Sequence, residues 1–362
     1  MDIRKIRRLY TNKVLTEAVR LFGFESQPMV MLEGSSYVYE GLLDGVPRIL
    51  KIIPGVYNTS RPLAGATEDQ LLGEIEFVLY LAQHGVRLAL PVRSLKGRWV
   101  EQIEVTDQYC FLAYCFEKAP GFMYPDENEV YFPQNILVEW GRMHAILHNL
   151  AEGFQPSVPS RRRLDWDQDD RLEYQNLIPA EQTRVYQRYA EVLDQLHALP
   201  KNSQVYGLIH GDFHHGNFFV VDSKIFLFDF DAAHYFWYAG EISIPLYNCL
   251  PIPRSDSVRR RSVSVQFLRY FIKGYLQERQ LEIYWLEKLP LFLKYQELID
   301  YAYKYKYWDL EHLSERRCQT LADCRYRIEE NLPVVAFQEA DLQNLFEGIA
   351  SGGATWPKES SS

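Results

Sequence analysis

The chain reads HGDFHHGN at residues 210–217 and, a short distance later, DFD at residues 229–231. Between them lie two apolar runs, residues 218–221 and 225–228, separated by a short polar turn centred on Ser223. Apolar runs of this length on either side of a polar turn are typical of a β-hairpin. The stretch therefore predicts a loop, a hairpin and a second acidic loop in close succession.

Three oxygen-bearing side chains of this stretch have the chemistry of a phosphate-transfer site. The hairpin is predicted to bring Asn217 opposite Asp229 as cross-strand neighbours. An amide oxygen beside a carboxylate suits Mg²⁺ that also binds substrate phosphates. Asp212 precedes Asn217 by five residues, so it can stay near the metal, orient a hydroxyl group and accept its proton. The alternative is a hairpin with polar ends and a surface loop.

The motif resembles that of the aminoglycoside phosphotransferase-like family of small-molecule kinases, which are relatives of the protein kinases. That family carries a His-Gly-Asp-x-His-x-x-Asn brace, a hydrophobic hairpin and an Asp-x-Asp. This chain matches at His210, Gly211, Asp212, His214, Asn217, Asp229 and Asp231. The resemblance implies that Asp212 is the catalytic base and that Asn217 and Asp229 are Mg²⁺ ligands. It implies a kinase that uses ATP or GTP to phosphorylate a hydroxyl group of a small molecule. Cationic small molecules are among the expected acceptors.

The resemblance also predicts the fold class, an α+β, bilobal, protein-kinase-like fold. A small N-terminal lobe with an antiparallel sheet and one helix is expected at residues 1–116, preceded by an N-terminal helix within the same range. A hinge is expected at residues 117–121, and a larger, mainly helical catalytic and substrate lobe at residues 122–350. The last residues, 351–362, are rich in serine and glycine and are predicted to be disordered.

The spacing of apolar residues supports this order of elements. Residues 1–25 have helical spacing, and a second helix is predicted from about Thr67 to Gln83. The pair Asp44-Gly45 is a strong hairpin turn. Strand-like runs lie at residues 29–32, 37–39, 48–53, 99–104 and 108–114. The pattern indicates a small antiparallel sheet with a helix inserted after its third strand.

By the same resemblance, several residues of the N-terminal lobe are predicted to contact the nucleotide. Ser35 and Ser36 belong to the turn expected to cover the phosphates, and Lys51 in the third strand is expected to contact the α- and β-phosphates. Glu74 is the expected partner of Lys51, because a buried ammonium group without a carboxylate costs several kcal/mol. Glu76 is the lesser alternative, since it faces another side of the helix.

The predicted hinge is also the expected adenine site. The sequence FEKAPG at residues 116–121 interrupts the strand pattern with proline and glycine. The resemblance points to the carbonyl group of Glu117 and the amide group of Ala119 as the groups that bind adenine. Because these are backbone groups, the identity of the side chains carries little information here.

Composition limits the remaining function classes. The 362 residues suffice for roughly two domains, and 47% apolar and 24% charged residues are ordinary for a soluble protein. A net charge of −9 argues against a general nucleic-acid binder. No run reaches the about 18 apolar residues of a membrane helix, and no apolar signal core is present, so a cytoplasmic protein without a membrane partner is expected. The odd count of five cysteines, with no CxxC pair, favours free thiols.

Some residues admit two interpretations. His144 and His148 lie four apart on a predicted helix, where structural packing is favoured over a metal pair. A zinc site is a further, less favoured alternative for His210, His214 and His215. The aromatic run at residues 301–308 indicates either helix core or an aromatic wall for a cationic substrate.

Two residues after the second motif depart from the family pattern. Ala232 stands where relatives usually have an aspartate, and Glu241 occupies the position of a second aspartate before the next helix. These changes are expected to affect loop support or substrate binding, and they do not touch the predicted metal ligands.

Two alternative functions belong to the same superfamily. One is a Ser/Thr protein kinase, although no Asp-Phe-Gly to Ala-Pro-Glu activation segment follows the second motif. The other is a non-catalytic nucleotide-binding module of the spore-coat type, which the intact set Lys51, Asp212, Asn217 and Asp229 opposes. The acceptor and the oligomeric state are not encoded in any pattern of the sequence.

Overall fold

The computed structural model describes residues 8–33, 36–56, 66–123, 132–250 and 257–338, and residues 341, 344, 345 and 347. The predicted tail lies outside these residues. The chain divides into two compact units. Unit 1 comprises the described parts of Met1–Gly121, Phe154–Arg163 and Phe226–Asp231. Unit 2 comprises the described parts of Phe122–Gly153, Leu164–Ile225 and Ala232–Ser362.

Unit 1 is built on a six-stranded antiparallel sheet. Its elements are α1 (Asn12–Phe22), β1 (Met29–Glu33), β2 (Tyr37–Leu43), β3 (Val46–Val56), α2 (Glu68–Gln83), β4 (Pro91–Val92), β5 (Val100–Glu104) and β6 (Tyr109–Glu117). The strand order is β1-β2-β3-β6-β4, and β5 also pairs with β6. The predicted sheet and its inserted helix are confirmed, whereas the two-residue strand β4 had no signal in the sequence.

Strand β6 is buried on both faces, and the alternation of its side chains explains why. Phe111 and Ala113 belong to a core cluster with α1, and Leu112 and Tyr114 belong to a cluster with Leu71 of α2. Successive side chains of a strand point to opposite faces, so a helix on each face buries the whole run. The central strands therefore form a rigid platform for the side chains that β3 carries.

Two local predictions of unit 1 are confirmed at the level of single hydrogen bonds and dihedral angles. Asp44 and Gly45 have φ of 51° and 73°, as expected for a tight hairpin turn between β2 and β3. Helix α2 begins with a capping box, in which Thr67 Oγ1 accepts from the Gln70 amide at 3.2 Å and Gln70 Oε1 accepts from the Thr67 amide at 3.0 Å.

Unit 2 is mainly helical. Its helices are α3 (Gln134–Gly153), α4 (Tyr174–Leu177), α5 (Thr183–His197), α6 (Tyr238–Glu241), α7 (Ser243–Asn248), α8 (Ser257–Tyr275), α9 (Ile283–Glu287), α10 (Leu289–Tyr307) and α11 (Glu315–Glu329). Strand β7 (Tyr206–Ile209) pairs with β10 (His234–Trp237), and β8 (Phe218–Val221) pairs with β9 (Lys224–Leu227). The hairpin β8–β9 was predicted, and its turn residues Asp222 and Ser223 have φ of 50° and 59°. An α+β fold is thus confirmed.

One helix boundary in unit 2 differs from the sequence pattern. Apolar spacing predicts a single helix over residues 284–294, but α9 ends at Glu287 and α10 begins at Leu289. Pro290 lies in the first turn of α10. Proline has no amide hydrogen and suits the first turn of a helix, so it starts a new helix here instead of continuing the old one.

Two glycines let α3 and α8 pack with their backbones almost in contact. A Cβ atom at Gly274 would lie 1.8 Å from the carbonyl oxygen of Val138, and one at Gly141 would lie 1.8 Å from that of Phe271. No other residue fits at this distance. The crossing holds α3, which carries Trp140 and His148 into the core, in a fixed position. None of the helices in the described ranges is long and apolar enough to cross a membrane.

Candidate active site

Lys51 and the second motif form a charged cluster in unit 1. Lys51 lies on β3 opposite Tyr114 of β6, and its side chain is 6% exposed. Its Nζ atom donates to Asp229 Oδ1 at 2.5 Å and to Asp231 Oδ2 at 3.2 Å. Asp229 has a left-handed backbone conformation with φ of 68°, which bends the chain between the two carboxylates. Both carboxylates thereby reach the same ammonium group.

The two carboxylates determine the protonation of this cluster. Burial opposes the charge of Lys51, but Asp229 and Asp231 outweigh it and hold the pKa of Lys51 well above its usual value. Burial and the neighbouring charge of Asp229 raise the pKa of Asp231 in spite of the contact with Lys51. Two carboxylates held this close repel each other, so an added cation would stabilise the pair.

Asp231 is the residue of this cluster to which the sequence motif assigned no role. Its carbonyl oxygen accepts a hydrogen bond from Arg163 Nη2 at 2.5 Å, while Arg163 Nη1 donates to the carbonyl group of Gln70 in α2 at 3.0 Å. The position of Asp231 is therefore held from its backbone and from its side chain. The doublet of aspartates around Phe230 was the signal that could have identified it.

The predicted ion pair between Lys51 and Glu74 is wrong for the described residues. Lys51 contacts Asp229 and Asp231 instead, and neither carboxylate oxygen of Glu74 has a hydrogen-bond partner in this part of the chain. Glu74 is 1% exposed, and burial raises its pKa to about 7 although Arg163 and Lys51 lower it. The carboxylates of the second motif thus take the partner role that Glu74 was expected to have.

The first motif forms a hydrogen-bonded loop in unit 2. Asn217 Nδ2 donates to the carbonyl oxygen of Asp212 at 2.8 Å and to Asp212 Oδ2 at 2.8 Å. The ring of His214 accepts from the Gly216 amide through Nδ1 at 2.9 Å, and its Nε2 lies 3.4 Å from Asp212 Oδ2. The side chain of Asp212 is 43% exposed. The loop thus fixes one oxygen of Asp212 and leaves the side chain open to solvent.

A series of buried, hydrogen-bonded polar groups supports this loop. Glu241 Oε1 accepts from the Gly211 amide at 2.9 Å, and Oε2 accepts from His148 Nε2 at 2.7 Å. The Tyr275 hydroxyl donates to His148 Nδ1 at 2.9 Å. Burial opposes the charge of Glu241, but the hydrogen bond from His148 and the nearby histidines lower its pKa to about 2. Glu241, a departure from the family pattern, thus supports the loop.

His144 and His148 are packing residues, as the sequence favoured. The ring of His144 stacks on Phe213 with centroids 4.1 Å apart, and its Nδ1 donates to the carbonyl group of Trp140 at 3.0 Å. Burial lowers the pKa of His144 to about 3, so the ring is neutral. Part of the aromatic run is also core, because Tyr301 is buried and donates to Gln182 Oε1 at 2.7 Å.

Of the remaining predicted nucleotide residues, Ser36, Glu117 and Ala119 lie in unit 1. Ser36 is buried, while Ser35 lies outside the described residues. Glu117 is the last residue of β6, and its amide donates to the carbonyl group of Leu90 at 2.8 Å. The amide of Ala119 has no hydrogen-bond partner within the described part of the chain. Strand β6 extends through Glu117 instead of ending before it.

Comparison with known proteins identifies the family. Residues 40–279 match the model of a phosphotransferase enzyme family. The chain is 34% identical to amicoumacin kinase of Bacillus subtilis (strain 168) over 342 residues, which are 94% of this chain and 98% of that protein. One solved structure is an amicoumacin kinase in complex with AMP-PNP, Ca²⁺ and Ami, which is 32% identical in sequence and has a TM-score of 0.84. The superposition covers 94% of this chain and 99% of that kinase chain.

A more distant structure shares the fold alone. The structure of the microcompartment-associated aminopropanol kinase superposes with a TM-score of 0.67 at 16% sequence identity. The superposition covers 96% of this chain and 100% of the kinase chain. The predicted family, kinase-like fold class and nucleotide-dependent activity are confirmed by these similarities. The chain therefore belongs to the phosphotransferase enzyme family and is an ATP-dependent kinase of a small-molecule alcohol.

Proposed function

We propose that this protein transfers the γ-phosphoryl group of ATP, with Mg²⁺, to a hydroxyl group of amicoumacin or of a close analogue. The observation that carries this proposal is the 34% identity to amicoumacin kinase, which extends over 94% of the chain. The alignment covers nearly all of this chain and nearly all of the relative, which supports an acceptor of the same class. The relative bound to AMP-PNP supports ATP as the phosphoryl donor.

Asp212 is the proposed base that orients the acceptor. Its Oδ2 accepts the hydrogen bond of Asn217, whereas its Oδ1 has no hydrogen bond to any described residue. Oδ1 is therefore the atom that would accept the proton of the acceptor hydroxyl. Since Asn217 holds the side chain in one rotamer, little entropy is lost when the acceptor binds.

The side chains proposed to hold the metal have the donor atoms that Mg²⁺ prefers. Both hydrogens of Asn217 Nδ2 are used by Asp212, which leaves the Oδ1 atom of Asn217 as a ligand. Asp229 supplies a carboxylate that is 35% exposed. No three His, Cys, Asp or Glu side chains group as a metal site in the described ranges, which fits a cation completed by triphosphate oxygens. Mg²⁺ would neutralise charge on the phosphates during transfer.

The described residues among the proposed nucleotide contacts are in unit 1. Lys51 would contact the α- and β-phosphates, and its high pKa keeps it charged throughout the neutral range. Ser35 and Ser36 would cover the phosphates, and the Glu117 carbonyl and Ala119 amide would bind adenine. Glu74 is proposed to act on the nucleotide through the electrostatics of Lys51, because it makes no ion pair with it.

The test compares Asp212→Asn with the matched variant Asp222→Asn. Both changes remove one carboxylate charge, but Asp222 lies in the exposed β8–β9 turn, where asparagine tolerates the positive φ. With amicoumacin as acceptor, Asp212→Asn should lower kcat by about a hundredfold or more and leave the KM for MgATP unchanged. Asp222→Asn should behave as the wild type.

The product and the metal role need their own measurements. A phosphate ester of amicoumacin, identified by mass and by ³¹P NMR, is the expected product. Asp229→Asn should raise the KM for MgATP, since it removes a proposed metal ligand. Transfer by Asp212→Asn at the wild-type rate would refute the role of the base. A wild-type protein that consumes no ATP with amicoumacin would refute the acceptor.

A further inference from the structure

Strand β10 carries the ring of His234 to the loop that holds Asp212. His234 pairs with Ile209 of β7, and the chain continues from Ile209 directly into the loop. A Cβ atom at Gly211 would lie 2.7 Å from His234 Nδ1, so the ring is in contact with the loop backbone. The Nδ1–H group of His234 donates to the carbonyl oxygen of Ala232 at 2.8 Å. Both contacts hold the ring in one orientation beside the proposed base.

An ion pair follows, along the chain, a segment that is hydrogen-bonded to β10. Arg171 Nε donates to Asp169 Oδ1 at 2.9 Å, and Arg171 Nη2 donates to Asp169 Oδ2 at 2.5 Å. The segment that leads to this pair is bound to β10, because the Tyr235 amide donates to the carbonyl group of Leu164 at 2.9 Å. The side chains of Asp169 and Arg171 are 22% and 31% exposed, so both remain accessible to a ligand.

The segment of the ion pair packs against β10 and α10, because the ring of Trp166, three residues before Asp169, lies 6.2 Å from that of Phe236 and 5.8 Å from that of Tyr295. Burial lowers the pKa of His234, and the charge of Asp169 opposes this effect. His234 in turn contributes to the lowered pKa of Asp169. Phe236, two residues after His234 on β10, stacks on Tyr295 of α10 with centroids 5.3 Å apart. Burial raises the pKa of Tyr295; Asp169 raises it further, and Arg171 lowers it. His234, Asp169 and Arg171 therefore lie on two elements that pack together and form one cluster, of which His234 contacts the Asp212 loop.

The cluster offers three different hydrogen-bonding groups. Burial lowers the pKa of His234, so its ring is neutral and Nε2, which bonds to no described residue, is an acceptor. Burial opposes the charge of Asp169, but Arg171 lowers its pKa to about 2, so it remains an anion. Arg171 Nη1 has no hydrogen bond within the described ranges and is a charged donor.

We propose that His234 and the Asp169–Arg171 pair form the subsite that binds the phosphoryl acceptor. The inference rests on the proposed function, in which Asp212 receives the acceptor hydroxyl. The matching ligand is a polar small molecule with a hydroxyl or ammonium donor for Asp169 and His234 and a carbonyl or carboxylate oxygen for Arg171. None of the three groups contributes to the proposed binding of phosphate or metal.

A role in stability alone explains this pair less well. Asp169 and Arg171 are only two residues apart, so their contact joins no distant parts of the chain. Partly exposed ion pairs contribute little to stability. The arrangement instead holds a charged donor and a charged acceptor in fixed positions on the segment that packs against β10, and selection of a polar substrate requires such fixed groups.

The test is steady-state kinetics of Asp169→Asn and His234→Gln, with Arg171→Lys as a variant that keeps the charge. Asp167→Asn is the matched control, because Asp167 is an exposed neighbour in the same segment. With amicoumacin, Asp169→Asn and His234→Gln should each raise the acceptor KM by about tenfold or more and change the KM for MgATP by less than about twofold. Arg171→Lys should raise the acceptor KM as well, since lysine cannot form the two-pronged contact.

The outcomes separate this inference from the proposed function. If the variants keep the wild-type acceptor KM, or if both KM values rise together, the subsite is refuted. If the wild type ignores amicoumacin but phosphorylates another molecule of a panel of hydroxylated amines, the acceptor proposal fails. The same variants are then measured with that molecule, and a selective rise of its KM supports the subsite. A wild type that phosphorylates no molecule of the panel overturns both.

Discussion

Glu74→Gln should change the pH dependence of stability in a direction that the structure defines. Glu74 is buried, both its carboxylate oxygens lack hydrogen-bond partners among the described residues, and burial raises its pKa from 4.5 to about 7. Between these two values the folded state keeps a proton that the unfolded state has released. The contribution of Glu74 to the free energy of unfolding of the wild type therefore falls as the pH rises from 4.5 to about 7.

The size of the effect follows from the two pKa values. The interval between 4.5 and about 7 corresponds to about 3 kcal/mol, because each pH unit of difference is worth about 1.4 kcal/mol. Glutamine does not titrate, so Glu74→Gln removes this loss. The free energy of unfolding of the variant, minus that of the wild type, should rise by up to about 3 kcal/mol between pH 5 and pH 8.

The assay is urea unfolding of both proteins at several pH values, with Glu76→Gln as control. Glu76 lies on the same helix, and hydrogen bonds from Ser157 and Arg161 lower its pKa against the effect of burial. Its stabilisation is complete above pH 4.5, so the effect of Glu76→Gln should stay constant from pH 5 to pH 8. A constant difference for Glu74→Gln as well would refute the reasoning, and would indicate an ionised Glu74 paired with Lys51.

Two further predictions concern unit 2. Gly274→Ala should destabilise the protein by about 1–3 kcal/mol or more, because its Cβ would lie 1.8 Å from the Val138 carbonyl oxygen. The control is Ser262→Ala on the exposed face of α8, which should leave the thermal midpoint unchanged. Glu241→Gln should lose one of the two hydrogen bonds to Gly211 and His148, which costs about 1–3 kcal/mol, and should lower kcat with little change in the KM for MgATP. Unchanged stability and kcat in Glu241→Gln would contradict the supporting role of this carboxylate.

Features that depend on neighbours in the chain were predictable from the sequence. The turn at Asp44-Gly45 and the helix start at Thr67 need only a few residues with defined conformational preferences, and both formed as expected. The first motif is equally local, because Asn217 and Asp212 are five residues apart and bond directly. The short distance along the chain limits the geometries that such groups can adopt.

Contacts between distant residues could not be predicted in the same way. Lys51 needed a carboxylate, but the sequence pointed to Glu74 and the structure supplies Asp229 and Asp231, which are 178 and 180 residues away from it. Helical periodicity shows that Glu74 faces inward, but it contains no information on which groups arrive at the same place from elsewhere in the chain. The hydrogen bond from the Gly211 amide to Glu241, 30 residues later in the chain, could not be predicted for the same reason.

The sequence by itself therefore determined the family, the main strands and the inserted helix of unit 1, the hairpin β8–β9, and which residue types are present for phosphoryl transfer. The tertiary structure decided which of those residues pair, which carboxylate has no hydrogen-bond partner among the described residues, and which histidine contacts the loop of Asp212. The physical reason is that burial and charge act through space. The pKa of a side chain depends on all groups packed around it, and only the folded chain defines that set.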